Sequence, residues 1–139
     1  MKCSRFTLFG LGLLLAVSAA HAQEAVKANI PFDFVAGNEV LPAGEYVVTP
    51  EGSSRQVILI RSSDNKAAKF ATAFGCSSSR PSDKTKLVFH TMGGRYYLYQ
   101  VWTAGYDQGR ELPKSKIEVQ LAKNGDKSGE FVLAANTAH

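Results

Sequence analysis

The sequence predicts a mainly β domain. The expected architecture is a single antiparallel β-sandwich of about seven strands, with a small barrel as the alternative and one short C-terminal helix as a further element. Three observations carry this. Apolar and polar residues alternate over short runs, the period-two signature of strands with one buried face. Gly, Pro, Asn and Asp separate those runs in combinations typical of turns. Two aromatic and β-branched runs flank Gly93-Gly94, the spacing of a tight hairpin.

The N-terminus reads as an export signal. Lys2 and Arg5 precede a short apolar run, residues 6–17, and Ala20-His21-Ala22 supplies small residues at the positions a signal peptidase reads. The run is shorter than the roughly 20 residues a membrane span needs. Cleavage after Ala22 is expected, leaving residues 23–139 as one domain and no membrane span. Lys2 and Arg5 leave with the signal, so the formal charge of +4 falls to about +2 and gives little reason to expect nucleic acid. Cys76 is then the one remaining cysteine, which excludes an internal disulfide and leaves a small buried hydrophobe or an intermolecular bridge.

The elements follow in order. Val26, Ala28, Ile30, Phe32 and Phe34 alternate with polar residues as one strand, and Pro31 assigns it to a sheet edge. In Leu41-Pro42-Ala43-Gly44, Pro42 presets φ for a turn and Gly44 is expected in the left-handed region, closing a bulged hairpin. Residues 45–49 resume as a strand and residues 50–54 turn it. Residues 56–61 are apolar on both faces, which suits a central strand. Ser63-Asp64-Asn65 is a turn, residues 69–74 are a strand with Phe70 and Phe74 as its large residues, and residues 77–83 are a polar loop.

For residues 87–92 and 95–103, a two-residue loop at Gly93-Gly94 sets the pairing: Met92 opposite Arg95, His90 opposite Tyr97, Phe89 opposite Leu98 and Val88 opposite Tyr99. One face then carries Leu87, Phe89, Tyr96, Leu98 and Trp102, and the other Val88, His90, Tyr97, Tyr99 and Val101. Residues 115–123 are ambiguous. Ser115 and Glu118 have capping-box spacing and Ile117 and Leu121 are helical partners, yet Ile117, Val119 and Leu121 also alternate. Residues 131–135 form a last strand.

The chain resembles a family of small secreted bacterial β-proteins with no assigned activity. Three blocks carry the resemblance and span nearly all of residues 23–139: "IPFDFVAGNEVLPAGEYVV", "FHTMGGRYYLYQVW" and "GRELPKSKIE". It implies no catalytic residues, and it favours a short helix at 115–123, from which Ile117 and Val119 depart. Leu41, Pro42, Gly44 and Tyr46 are also similar to the turn of Ig-like modules of the prealbumin and carboxypeptidase-regulatory type, which favours a sandwich over a barrel.

The chemistry-bearing residues are sparse. No HxH, CxxC or HExxH occurs, so neither a metal set nor a cofactor is expected. A nucleophile needs a neighbouring base, and Cys76 and His90 are a pair that neighbouring strands could bring together, as they could almost any pair in a small sheet. His90, Tyr97 and Tyr99, with Lys86 and Arg95 near the hairpin ends, are the candidate ligand-binding residues, because aromatic rings with polar tips on a rigid sheet suit sugars or peptides. The functional expectation is an exported, non-catalytic interaction or structural module of the cell envelope or extracellular space, with a protein or glycan partner. The alternatives are a small-ligand or glycan-binding protein and a hydrolase built on a carboxylate pair.

Overall fold

The computed structural model describes residues 25–52 and 56–138; the signal-peptide reading lies outside them. Two sheets pack face to face as a β-sandwich, with one short helix and no closed barrel. Sheet A has the order β12-β1-β4-β5-β6, built from β1 (Ala25–Ile30), β4 (Gly44–Glu51), β5 (Val57–Ser62), β6 (Ala68–Thr72) and β12 (Asn136–Ala138). Sheet B has the order β11-β8-β9-β10-β7, built from β7 (Phe74–Ser77), β8 (Lys86–Met92), β9 (Arg95–Trp102), β10 (Gln108–Glu111) and β11 (Gly129–Ala134). Two short strands complete it: β2 (Phe34–Ala36) runs parallel to β9 and pairs with β3 (Glu39–Leu41).

The described residues thus hold twelve strands against the seven expected, because three runs that read as one strand change sheet midway and because β3 and β10 form in segments not read as strands. The first run is the clearest case. Val26, Ala28 and Ile30 point into the core from sheet A, the chain bends over residues 31–33, and Phe34 enters sheet B. Both sheets face the same interior, so the alternation survives the crossing. Pro31 lies in the bend, and β1 is not an edge strand: it sits between β12 and β4. Residues 69–74 divide in the same way between β6 and β7 around fully buried Ala73, and the C-terminal run divides around Ala135 into β11 and β12.

The Leu41–Gly44 segment is also a crossing and not a hairpin. β3 pairs with β2, whereas β4 pairs with β1 and β5. Pro42 and Ala43 carry the chain between sheets. Gly44 has φ +157°, at the margin of extended backbone, and pairs with Ile30; it is not the left-handed closing residue expected. Two hydrogen bonds fix the corner. The Ala43 N–H donates to Asp33 Oδ1 at 2.9 Å, and the Tyr46 hydroxyl donates to the Pro42 carbonyl at 2.7 Å. The Tyr46 ring is buried edge-on to Phe34, with centroids 5.2 Å apart. Further along, β4 continues through Pro50 to Glu51, so the following turn starts later than the Pro suggests.

β5 takes the interior position expected, between β4 and β6. Ile58 and Ile60 are buried, but on the outer face Val57 is exposed and Leu59 half-buried. The core between the sheets gathers Ile30, Tyr46, Ile58 and Ile60 from sheet A with Phe34, Leu87, Phe89, Leu98 and Val101 from sheet B. Burial of each such side chain stabilises the fold by roughly 1.5–3 kcal/mol.

Residues 116–123 form the helix α1 (Lys116–Lys123), which resolves the ambiguous segment. Ser115 is its N-cap, with Oγ accepting the Glu118 N–H at 3.1 Å. Asn124 and Gly125 end it: Asp126 N–H reaches the Leu121 carbonyl and Gly125 N–H the Ala122 carbonyl, with Gly125 at φ +87°, a Schellman closure. The packing differs from the Ile117/Leu121 stripe expected. Leu121 packs against Val35, Met92 and Tyr97 on the outer face of sheet B, while Ile117 and Val119 are exposed.

Candidate functional site

The outer face of sheet B holds the polar chemistry of the molecule. Gly93 and Gly94, at φ +59° and +75°, form the mirror-image turn whose twist matches a hairpin. The first part of the register is the one derived from that turn: Met92 opposite Arg95, His90 opposite Tyr97 and Phe89 opposite Leu98. Between Val88 and Phe89 the register slips, and Val88 faces Gln100 instead of Tyr99. This bulge puts an extra residue into β9 and exchanges the faces beyond it. Val101, opposite Leu87, enters the core, and Trp102 turns to the outer face, the reverse of the expected assignment.

The bulge assembles a network. Trp102 Nε1–H donates to Gln100 Oε1 at 3.0 Å, and Gln100 Nε2–H donates to Glu111 Oε1 at 2.9 Å. Glu111 also accepts the Tyr99 hydroxyl. That bond, followed by burial and the charges of Glu111, Cys76 and Glu130, pushes the Tyr99 phenol up to about 12. The bonds from Tyr99 and Gln100 hold the Glu111 carboxyl below its usual range, with nearby His90 adding to the effect.

His90 and Tyr99 do come together: their rings stack with centroids 3.8 Å apart and planes 26° apart. His90 Nδ1 also lies 2.7 Å from Glu118 Oε1, in a pair whose side chains are only 16% and 5% exposed. Tyr97 does not join them as a ligand contact. It is 2% exposed beneath Leu121, and its hydroxyl has no partner among the described residues. Helix α1 therefore seals the half of the face nearest the Gly93-Gly94 turn. Lys86 sits opposite Trp102 at the far end, and Arg95 sits beside the turn.

The other half is open. Val88, Gln100, Trp102, Glu130 and Val132 form the floor of a groove of about 480 Å³, with residues 78–84 along one side. Lys84, Lys86, Arg80 and Asp83 supply charge of both signs, and Ser78 and Ser82 add small polar groups. The indole of Trp102 is largely covered, so the groove offers mainly hydrogen-bonding groups and only a modest apolar surface.

Glu111, Glu118, Gln100 and Trp102 were not legible as a site. Ser115 and Glu118 carried a capping signal, but the Glu118 carboxylate is directed to His90. No pattern marked Glu111, whose role follows from the bulge. Cys76 lies on β7 opposite Gly109; burial and the Glu111 charge push its thiol up, away from the reactive thiolate. Among the described residues no group of three or more His, Cys, Asp or Glu could hold a metal ion, and no helix is long and apolar enough to cross a membrane. No protein-family model, curated protein or solved structure matches the chain.

Proposed function

We propose that the chain is an exported, non-catalytic binding module of the cell envelope or extracellular space, and that its ligand is a glycan held in the open groove of sheet B. The observation that supports this most is the groove itself. It is large enough for a small ligand, shallow, and lined by amide, carboxylate, ammonium and hydroxyl groups on a rigid sheet. Planar polar side chains whose partners fix their orientation suit a ligand dense in hydroxyls. Gln100 is such a group, held between Trp102 and Glu111. Two of the acids nearby serve other bonds, Glu118 with His90 and Glu111 with Tyr99 and Gln100, while Asp83 and Glu130 line the groove itself.

Trp102 is the only tryptophan of the chain, so its emission reports on the groove floor. Titration with a panel of soluble oligosaccharides is expected to change that emission saturably and to raise the melting temperature. Gln100→Ala and Glu130→Ala should weaken the response, while Tyr97→Phe should leave it intact. A panel that moves neither emission nor melting temperature refutes the glycan reading. Export is tested separately: N-terminal sequencing of protein recovered outside the cytoplasm should begin at Gln23, and a retained Met1 refutes it.

A further inference from the structure

A second, smaller cavity lies between the sheets, away from the groove. It encloses about 80 Å³. Val48, Ile58 and Val101, all buried, give it an apolar wall, and Thr103, Gln108 and Arg110 give it a polar one. Arg110 is the unusual member. In the register of β10 with β9 it stands opposite core residue Val101, so its side chain starts on the inner face of sheet B. Its Nε is shielded from solvent and has no hydrogen-bond partner among the described residues, while the residue as a whole is half-buried. Among the described residues its one hydrogen bond is a long 3.4 Å contact from Nη1 to the neighbouring Gly109 carbonyl. Among the described residues no carboxylate pairs with it.

A guanidinium stays charged at every accessible pH, and shielding one of its N–H groups from water without an acceptor is costly. Its planar fork matches a carboxylate through two parallel N–H···O bonds. We infer that this cavity is a binding site for a short-chain carboxylate, with the carboxylate on Arg110 and the alkyl chain against Val48, Ile58 and Val101. The size sets the chain length. A cavity of about 150 Å³ holds benzene, so one of about 80 Å³ suits an acid of roughly two to four carbons. A phosphate fits less well, because a single cation and an apolar wall leave most of its oxygens unpaired.

The test uses the mature protein labelled with ¹⁵N and with ¹³C at the methyl groups. Acetate, propionate and butyrate are added, against sodium chloride at matched ionic strength. The expected result is a saturable shift of the Arg110 Nε–H signal together with the Val48, Ile58 and Val101 methyls, tightest for the acid that best fills the wall. Arg110→Met should weaken binding by about tenfold or more, the scale of a lost charge-assisted hydrogen bond. If that variant does not fold, Ile58→Phe fills the cavity while leaving the guanidinium in place, and it should abolish the shifts. The inference is overturned if none of the three acids moves the Nε–H signal, if chloride produces the same shifts, or if either folded variant binds like the wild type. Trp102 emission separates this site from the groove: a carboxylate response that survives Gln100→Ala belongs to Arg110, whatever becomes of the glycan reading.

Discussion

Gly109 is the position at which a single added carbon should cost most for its size. It lies on β10 opposite Cys76, with φ outside the left-handed region, so alanine meets no backbone penalty there. Space is what is missing. A Cβ at Gly109 would sit 2.8 Å from Trp102 Cδ2, 2.8 Å from Trp102 Cε3 and 2.8 Å from the Val101 carbonyl oxygen. Neither obstacle yields easily. The indole is 8% exposed and tied to Gln100, and the carbonyl belongs to the middle of sheet B. Overpacking of this kind costs about 1–3 kcal/mol, while the stiffer unfolded chain of an alanine variant offsets about 0.4–1 kcal/mol. Gly109→Ala should therefore destabilise by about 1–2 kcal/mol, lowering the urea midpoint by about 1 M at an m-value of 1–2 kcal/mol/M. Urea melts followed by Trp102 emission and by circular dichroism measure this, and the native emission should also shift as the ring is displaced. Gly129→Ala is the control. Its Cβ would come 2.6 Å from Thr91 Oγ1, a closer contact, but with one atom of a half-buried side chain that a change of χ1 rotamer moves aside. It should cost under about 0.5 kcal/mol. A Gly109→Ala protein with wild-type midpoint and emission, or a Gly129→Ala protein that is the less stable of the two, refutes the reasoning.

Four further outcomes are expected. Tyr97→Phe removes a buried hydroxyl that has no partner among the described residues and should stabilise the protein by up to about 1 kcal/mol in urea melts. Tyr46→Phe should cost about 1 kcal/mol through the lost bond to Pro42, and Tyr46→Ala about 3–5 kcal/mol through the cavity left beneath the corner. Tyr99 is held protonated in the folded protein, so its contribution to stability is complete below the ordinary tyrosine range and is lost as pH rises through about 12; tyrosinate absorbance, read as wild type minus Tyr99→Phe, should show that late titration, and Glu111→Gln should bring it earlier. Glu111 acts in the opposite sense: its pKa is lowered, so its contribution is present above the ordinary glutamate range and lost as acid protonates it, and a stability–pH profile of Glu111→Gln should be flatter on the acid side.

The class of fold was legible because period-two alternation reports burial, and a sandwich buries one face of each strand. Strand number was not legible for the same reason. A run such as Val26 to Phe34 keeps its inward stripe while passing from one sheet to the other, and periodicity is blind to which sheet supplies the hydrogen bonds. Pro42 and Gly44 carried a true signal of a break between strands, but turn chemistry is local and did not say that the chain changes sheet there, while the reversal itself lies at residues 37–38 between β2 and β3. The Gly93-Gly94 loop fixed the register only as far as the bulge, and nothing in "YYLYQVW" marks where the extra residue goes. Of the candidate trio, His90 and Tyr99 are neighbours, whereas Tyr97 was misread because the helix covering it comes from residues more distant in the chain.

The pairing of β1 with β12 has a consequence for how the chain is made. Ala25 lies opposite Ala138, and Val26 opposite Thr137, so one of the first described residues finds its neighbour only among the last. Sheet A therefore cannot finish until residues 136–138 have left the ribosome. Until then β1 has β4 on one flank and an open row of peptide groups on the other. Such long-range closure makes folding slow, because the loop entropy is lost before the contact is gained.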